Sequence, residues 1–101
     1  MTSPIKPPQE IVSTITKIAP KIYDMTVVST SEEGSAALIS RNAKAGQFVM
    51  IRADEEGERI PLTIAQTEAK KRAVRLIFQV VGTSTHKLSL LKPGDQVLNL
   101  A

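Results

Sequence analysis

Residues branched at Cβ set the terms for this chain. Val, Ile and Thr make up 27 of its 101 residues. A branched Cβ crowds the preceding turn of a helix but packs well on a pleated sheet. These residues come in short runs, broken by Gly, Pro, Asp and Glu. The chain is therefore predicted to be mainly β, built from several short strands. Its length is that of one domain. A chain of this size buries only about 60–70% of its unfolded surface, so one closed layer or small barrel is the expected limit.

Alternation begins at Ile11 and ends at Pro20, which cannot donate to a ladder. A second strand runs from Tyr23 to Thr30, with Tyr23, Met25 and Val27 on one side. Ser31 to Ser35 reads as a turn, and Ala36 to Ile39 as a short return strand. Strands at Gln47 to Ala53 and Ile60 to Gln66 flank a polar loop, Asp54 to Glu58. Thr67 to Arg72 is a hairpin tip. Ala73 to Val81 is the most apolar strand. Val74, Leu76, Phe78 and Val80 share one face, and Ile77 and Val81 lie on the other, which predicts cover on both sides over part of its length.

Gly82 breaks that strand. Thr83, Ser84 and Thr85 supply capping hydroxyls for a helix over His86 to Leu91, about two turns long. Leu88 and Leu91 share its inner face. Lys92-Pro93-Gly94-Asp95 has the residues of a type II turn, and Gln96 to Leu100 is the last strand. Six or seven short strands with one late helix point to the fold class all-β: a six-stranded antiparallel Greek-key barrel with one short helix. Residues 1–9, with Pro4, Pro7 and Pro8, are a flexible lead, and residues 10–101 are the domain.

Cysteine is absent. That removes disulfides, thiolate metal sites and a Cys nucleophile together. No apolar run approaches the roughly 18–20 residues of a membrane span, and MTSPIKPPQE has no apolar segment of the secretory kind. A soluble, cytoplasmic protein is the expectation. The net charge is +3 and the pI 9.5, which permits a polyanionic partner without requiring one. Tyr23, Phe48 and Phe78 are the only aromatics, too few to cover a nucleic-acid groove with stacking platforms.

A self-sufficient active site is not visible. The single His86 has no evident partner and reads as a solvated first-turn residue. Asp54, Glu55, Glu56 and Glu58 lack the alternating spacing of a calcium loop, so a solvated turn is the better reading. The segment Val80 to Thr85 has two readings. It is an ordinary capped helix start, or an anion site in which Gly82 lets the backbone turn sharply and a ligand approach closely.

Four segments then fall in a telling order: Ala45-Gly46-Gln47-Phe48-Val49, Glu58-Arg59-Ile60-Pro61-Leu62-Thr63-Ile64, Leu76 to Thr85, and Lys92-Pro93-Gly94-Asp95. Together they resemble the flavin-binding barrel of the ferredoxin–NADP reductase superfamily. The nearest branch is that of the electron-transfer subunits of dihydroorotate dehydrogenase and of sulfide dehydrogenase or NADH-dependent ferredoxin:NADP oxidoreductase. The resemblance covers roughly residues 20 to 100. It implies an FAD-binding module that relays electrons between a nicotinamide nucleotide and an iron–sulfur or ferredoxin partner, with a catalytic subunit as the other possible partner and no nucleic acid or membrane.

By the same resemblance Thr63 approaches the flavin N5 edge. Leu62 packs on the isoalloxazine by side chain or backbone, and Pro61 keeps its strand extended. Phe78, Gln79 and Val80 pass the ribityl and adenine side, and Gly82, Thr83, Ser84 and Thr85 form the pyrophosphate turn. The superfamily's Arg, three residues before the hydroxyl, is replaced here by Ile60. Arg59 lies four before Thr63, so in a regular strand it points to the face opposite that of Ile60, and it reads as a site residue or a surface charge.

Relatives of this kind continue into an NAD(P)-binding domain, and some carry a cysteine cluster for a [2Fe–2S] centre. The chain therefore looks like the first domain of a longer reductase, inactive alone, with an apolar strip near Leu62 and Val80 left exposed. A small basic barrel binding RNA is the alternative.

Overall fold

The computed structural model describes residues 7–98 and 100–101. Residues 1–6 of the predicted lead, and Asn99 of the predicted last strand, lie outside the described residues. Six strands form one curled antiparallel sheet: β1 (Glu10–Ala19), β2 (Ile22–Ser29), β3 (Phe48–Ile51), β4 (Ile60–Glu68), β5 (Ala73–Gln79) and β6 (Gln96–Val97). Their order is β3-β4-β5-β2-β1-β6. The two outer strands meet. Arg52 and Leu98 exchange backbone hydrogen bonds of 3.0 and 2.8 Å, and Met50 and Ala101 do the same at 2.9 and 3.0 Å. These bonds close the curl and satisfy edge groups that would otherwise be unpaired.

The core consists of the inward members of each alternation. Met25, Val27, Ile51, Ile64, Leu76 and Val97 are buried. Tyr23 and Phe78 stack across β2 and β5 with ring centroids 5.8 Å apart. On the outer face the Arg75 guanidinium donates to both Asp24 carboxylate oxygens and to Gln66 Oε1, tying β5 to β2 and β4. The hydrogen bond and charge of Asp24 push the Arg75 pKa above its already high value. The turn at Lys92–Asp95 is type II, as its residues predict. Asp95 N–H donates to Lys92 C=O at 2.9 Å, and Gly94 takes the required positive φ of 96°.

Two helices accompany the strands, where the sequence predicts one. The expected one is α2, which covers Thr83–Ser89 in place of His86 to Leu91, so that Thr83 to Thr85 form its first turn and do not cap it, with Leu88 inserted in the core. The other is α1 (Ser35–Asn42), which replaces the return strand predicted at Ala36 to Ile39. Ala36, Ala37 and Ser40 are its buried residues, a helical spacing rather than an alternation. Its cap comes from far away in sequence. The Glu10 carboxylate accepts the Ala36 N–H at 2.7 Å, and Ser29 Oγ accepts the Ala37 N–H at 2.9 Å while donating to Glu10. A second correction concerns β5 and its continuation. Ile77 and Val81 are exposed, so the outer face is bare toward the end of that strand, while at its start Ala73, on the same side, is buried. Among the described residues no helix is long and apolar enough to cross a membrane.

Gly34 sits against this buried cap. A Cβ there would lie 2.6 Å from Ser29 Cβ and 3.1 Å from Glu10 Oε1. Gly34→Ala is therefore expected to destabilise the protein by about 1–3 kcal/mol, the usual range for overpacking. Urea denaturation would read this as a lower midpoint at unchanged slope.

Candidate functional site

β4 takes two partners in succession. Its first half, Ile60 to Thr63, pairs with β3, and its second half, Ile64 to Glu68, pairs with β5. An irregularity between Ile64 and Gln66 marks the change. Toward the start of β4 the ladder to β5 has therefore opened. The chain leaving β5 through Val81 faces Ile60 across the gap. The gap is a cleft of about 500 Å³. Ile60 and Val81 contribute apolar surface, Gly82 to Thr85 and Lys87 one flank, and Glu56 to Glu58 the other.

Gly82 does not make the sharp turn considered for it. Its φ and ψ are 172° and −174°, extended backbone open to any residue. A Cβ there would meet nothing within 4 Å. The missing side chain therefore leaves the cleft wall open and serves no need of the free fold. The Thr85 hydroxyl is engaged within the fold. Its Oγ1 accepts the Val81 N–H at 2.8 Å and donates to Gly82 C=O at 3.2 Å, and the residue is buried. This hydroxyl locks the bend between β5 and α2. The hydroxyls of Thr83 and Ser84 have no protein partner among the described residues.

Along β4, Pro61 and Thr63 are exposed, and Phe48 stands opposite Thr63 in register. Phe48 is 66% exposed. Thr63 lies about 10 Å along the strand from Ile60. The Leu62 and Phe78 side chains are both buried in the barrel core. Only their main chain is left to face a ligand on the outer surface. The apolar strip predicted near Leu62 and Val80 is accordingly made by other residues, Phe48 and Val81, while Val80 is half-buried against the core. Gln79 is exposed. Arg59 is exposed and does not line the cleft; Ile60 does.

The remaining sequence candidates behave as solvated groups. His86 is exposed on α2. Asp54 Oδ1 accepts the Glu56 N–H at 3.0 Å, shaping its own turn. Among the described residues no group of three His, Asp or Glu is placed to hold a metal. Sequence reasoning missed Glu56, Val81 and Lys87 as cleft residues. A signal for Lys87 was present: it falls three and four positions after Ser84 and Thr83, on the same side of a helix.

No family model matches the chain. It is 44% identical over 91 residues to a dihydroorotate dehydrogenase B (NAD(+)) electron transfer subunit homolog of Thermotoga maritima, covering 90% of this chain and 29% of that protein. The electron transfer subunit of dihydroorotate dehydrogenase B (NAD(+)) from Desulforamulus reducens is 39% identical over 83 residues, covering 79% of this chain and 29% of its own. Among solved structures, an NADH-dependent reduced ferredoxin-NADP oxidoreductase described for flavin-based electron bifurcation superposes with a TM-score of 0.81 at 38% identity. That match covers 92% of this chain and 31% of the other. The chain thus spans less than a third of the length of each of these relatives.

Two substitutions separate the structural from the open parts of this site. Thr85→Val removes the hydroxyl that holds Val81 N–H and is expected to cost about 1 kcal/mol of stability. Gly82→Ala is expected to leave the thermal and urea midpoints unchanged, because nothing in the free fold fills the space beside it.

Proposed function

We propose that this chain, a barrel of the ferredoxin–NADP reductase type homologous to the electron-transfer subunits of dihydroorotate dehydrogenase B, is the flavin-binding module of an NAD(P)H-linked oxidoreductase, with FAD as its cofactor. The observation that carries the reading is the convergence of two motifs. The start of β4 and the Gly82–Ser84 segment, some twenty residues apart in sequence, meet at one cleft.

The residues fit such a group. The open Cβ position at Gly82 and the unpartnered hydroxyls of Thr83 and Ser84 suit the phosphates. Exposed Thr63 offers a hydroxyl donor farther along β4, with Pro61 and Phe48 beside it as apolar surface. Val81 adds apolar surface at the cleft, exposed Gln79 ends β5 beside Val80, which is half-buried against the core, and Arg59 is exposed between the cleft residues Glu58 and Ile60. Leu62 and Phe78 contribute through their backbone, and Thr85 by fixing the turn. When bound, the flavin supplies the one- and two-electron chemistry, while the protein positions it.

In this proposal residues 10–101 are the flavin-binding domain. The NAD(P)-binding domain and any [2Fe–2S] centre belong to other parts of a longer cytoplasmic protein, whose partner is a ferredoxin or a catalytic subunit. The RNA-binding alternative gains no support from the relatives.

Flavin fluorescence provides the test. FAD added to the chain is expected to be quenched saturably. Gly82→Val should weaken that binding about tenfold or more, equivalent to about 1.4 kcal/mol, without lowering the denaturation midpoint. Thr63→Val should leave the fold intact and slow flavin reduction in the full-length protein. The chain alone should oxidise neither NADH nor NADPH with added FAD and an artificial acceptor. Turnover there, or unquenched FAD, would contradict the proposal.

A further inference from the structure

Lys87 is the one cation among the residues that line the cleft, and it is already engaged. Its Nζ lies 3.6 Å from Asp54 Oδ1, with the two side chains 32% and 53% exposed. Asp54 does not drift. The same Oδ1 accepts the Glu56 N–H at 3.0 Å, and the Asp54 carbonyl accepts the Gly57 N–H at 3.2 Å. The loop thus presents a fixed carboxylate to Lys87. Glu56 and Glu58 add two more negative charges to that side of the cleft. An anion entering the cleft is repelled from the loop side and attracted only by Lys87, next to the hydroxyls of Thr83 and Ser84.

We infer that Lys87 is the cationic anchor for the ligand's phosphate oxygens, and that Asp54 is its built-in competitor. This rests on the cleft being the phosphate end of the proposed flavin site. An exposed pair at this distance holds weakly. A phosphate offers Lys87 a charge-assisted hydrogen bond to a fuller negative charge. Binding therefore exchanges one partner of Lys87 for another, and affinity reflects the difference between them. Arg59 does not line the cleft, and the cation that does is on α2.

The inference predicts effects of opposite sign for the two partners. Amide NMR of the chain, titrated with inorganic pyrophosphate, should show shifts at Gly82 to Ser84. Lys87→Gln should weaken that binding about tenfold, the loss of one charged contact. Asp54→Asn should strengthen it about two- to fivefold, the range set by an exposed pair. In a Lys87→Gln background Asp54→Asn should change nothing, because the competitor acts through the lysine.

Any of three results would overturn the inference: no shift with pyrophosphate in the wild type, unchanged affinity in Lys87→Gln, or an Asp54→Asn gain that persists without Lys87. The last would mean simple relief of negative charge. A parallel titration with FAD and riboflavin keeps the two readings apart. FAD, which carries phosphates, should follow the Lys87 variant, and riboflavin, which carries none, should not. Pyrophosphate results as expected with no flavin quenching would uphold the anchor and refute the flavin assignment. Flavin binding indifferent to Lys87 would do the reverse.

Discussion

The antiparallel register between β4 and β5 is the constraint from which the site follows. Ile64 faces Leu76, so stepping back along β4 and forward along β5 brings Ile60 level with Val80 at one end of the barrel. There the two strands no longer pair: the β4–β5 ladder begins only at Ile64, and Ile60 to Thr63 keep β3 as their partner on the other edge. A continuous ladder would have left no gap. The end of the ladder opens one, and the two segments that carry polar groups flank it. One is the acidic loop before β4, and the other is the hydroxyl-bearing start of α2.

Rigidity on either side comes from different sources. The β3–β4 edge is held because Met50 and Arg52 bond to Ala101 and Leu98 and close the barrel. The β5–α2 side is held by the Thr85 hydroxyl and by Leu88, which is fully buried in the core. Opposite them, a buried carboxylate and hydroxyl, Glu10 and Ser29, cap α1 and join it to β1 and β2. A buried carboxylate is tolerated there because its Oε1 receives two hydrogen bonds.

Much of this was legible in the residues. The six strands follow from alternation, the type II turn from Pro93 and Gly94, and the β4–β5 hairpin from the polar tip at Thr67 to Arg72. What was misread has particular causes. Ala36 to Ile39 reads as a strand in the sequence because four residues give too little pattern to tell a period of 2 from 3.6. The deciding caps lie 26 and 8 positions away. That the Leu62 and Phe78 side chains are buried was not legible in the motif, which specifies order along a strand, not which side of a curled sheet each residue takes.

By itself the sequence determined the barrel, its strand order along the chain and the short list of segments able to meet a phosphate. These depend on local chemistry: β-branching, turn residues, the missing side chain at Gly82. Tertiary structure alone decided which members of those segments face outward, that Thr85 is spent on the backbone, and that Lys87 meets Asp54 across the cleft. Those outcomes depend on where β4 leaves β5 and on how the sheet closes. Both are set by pairings between residues distant in sequence, which no local pattern records.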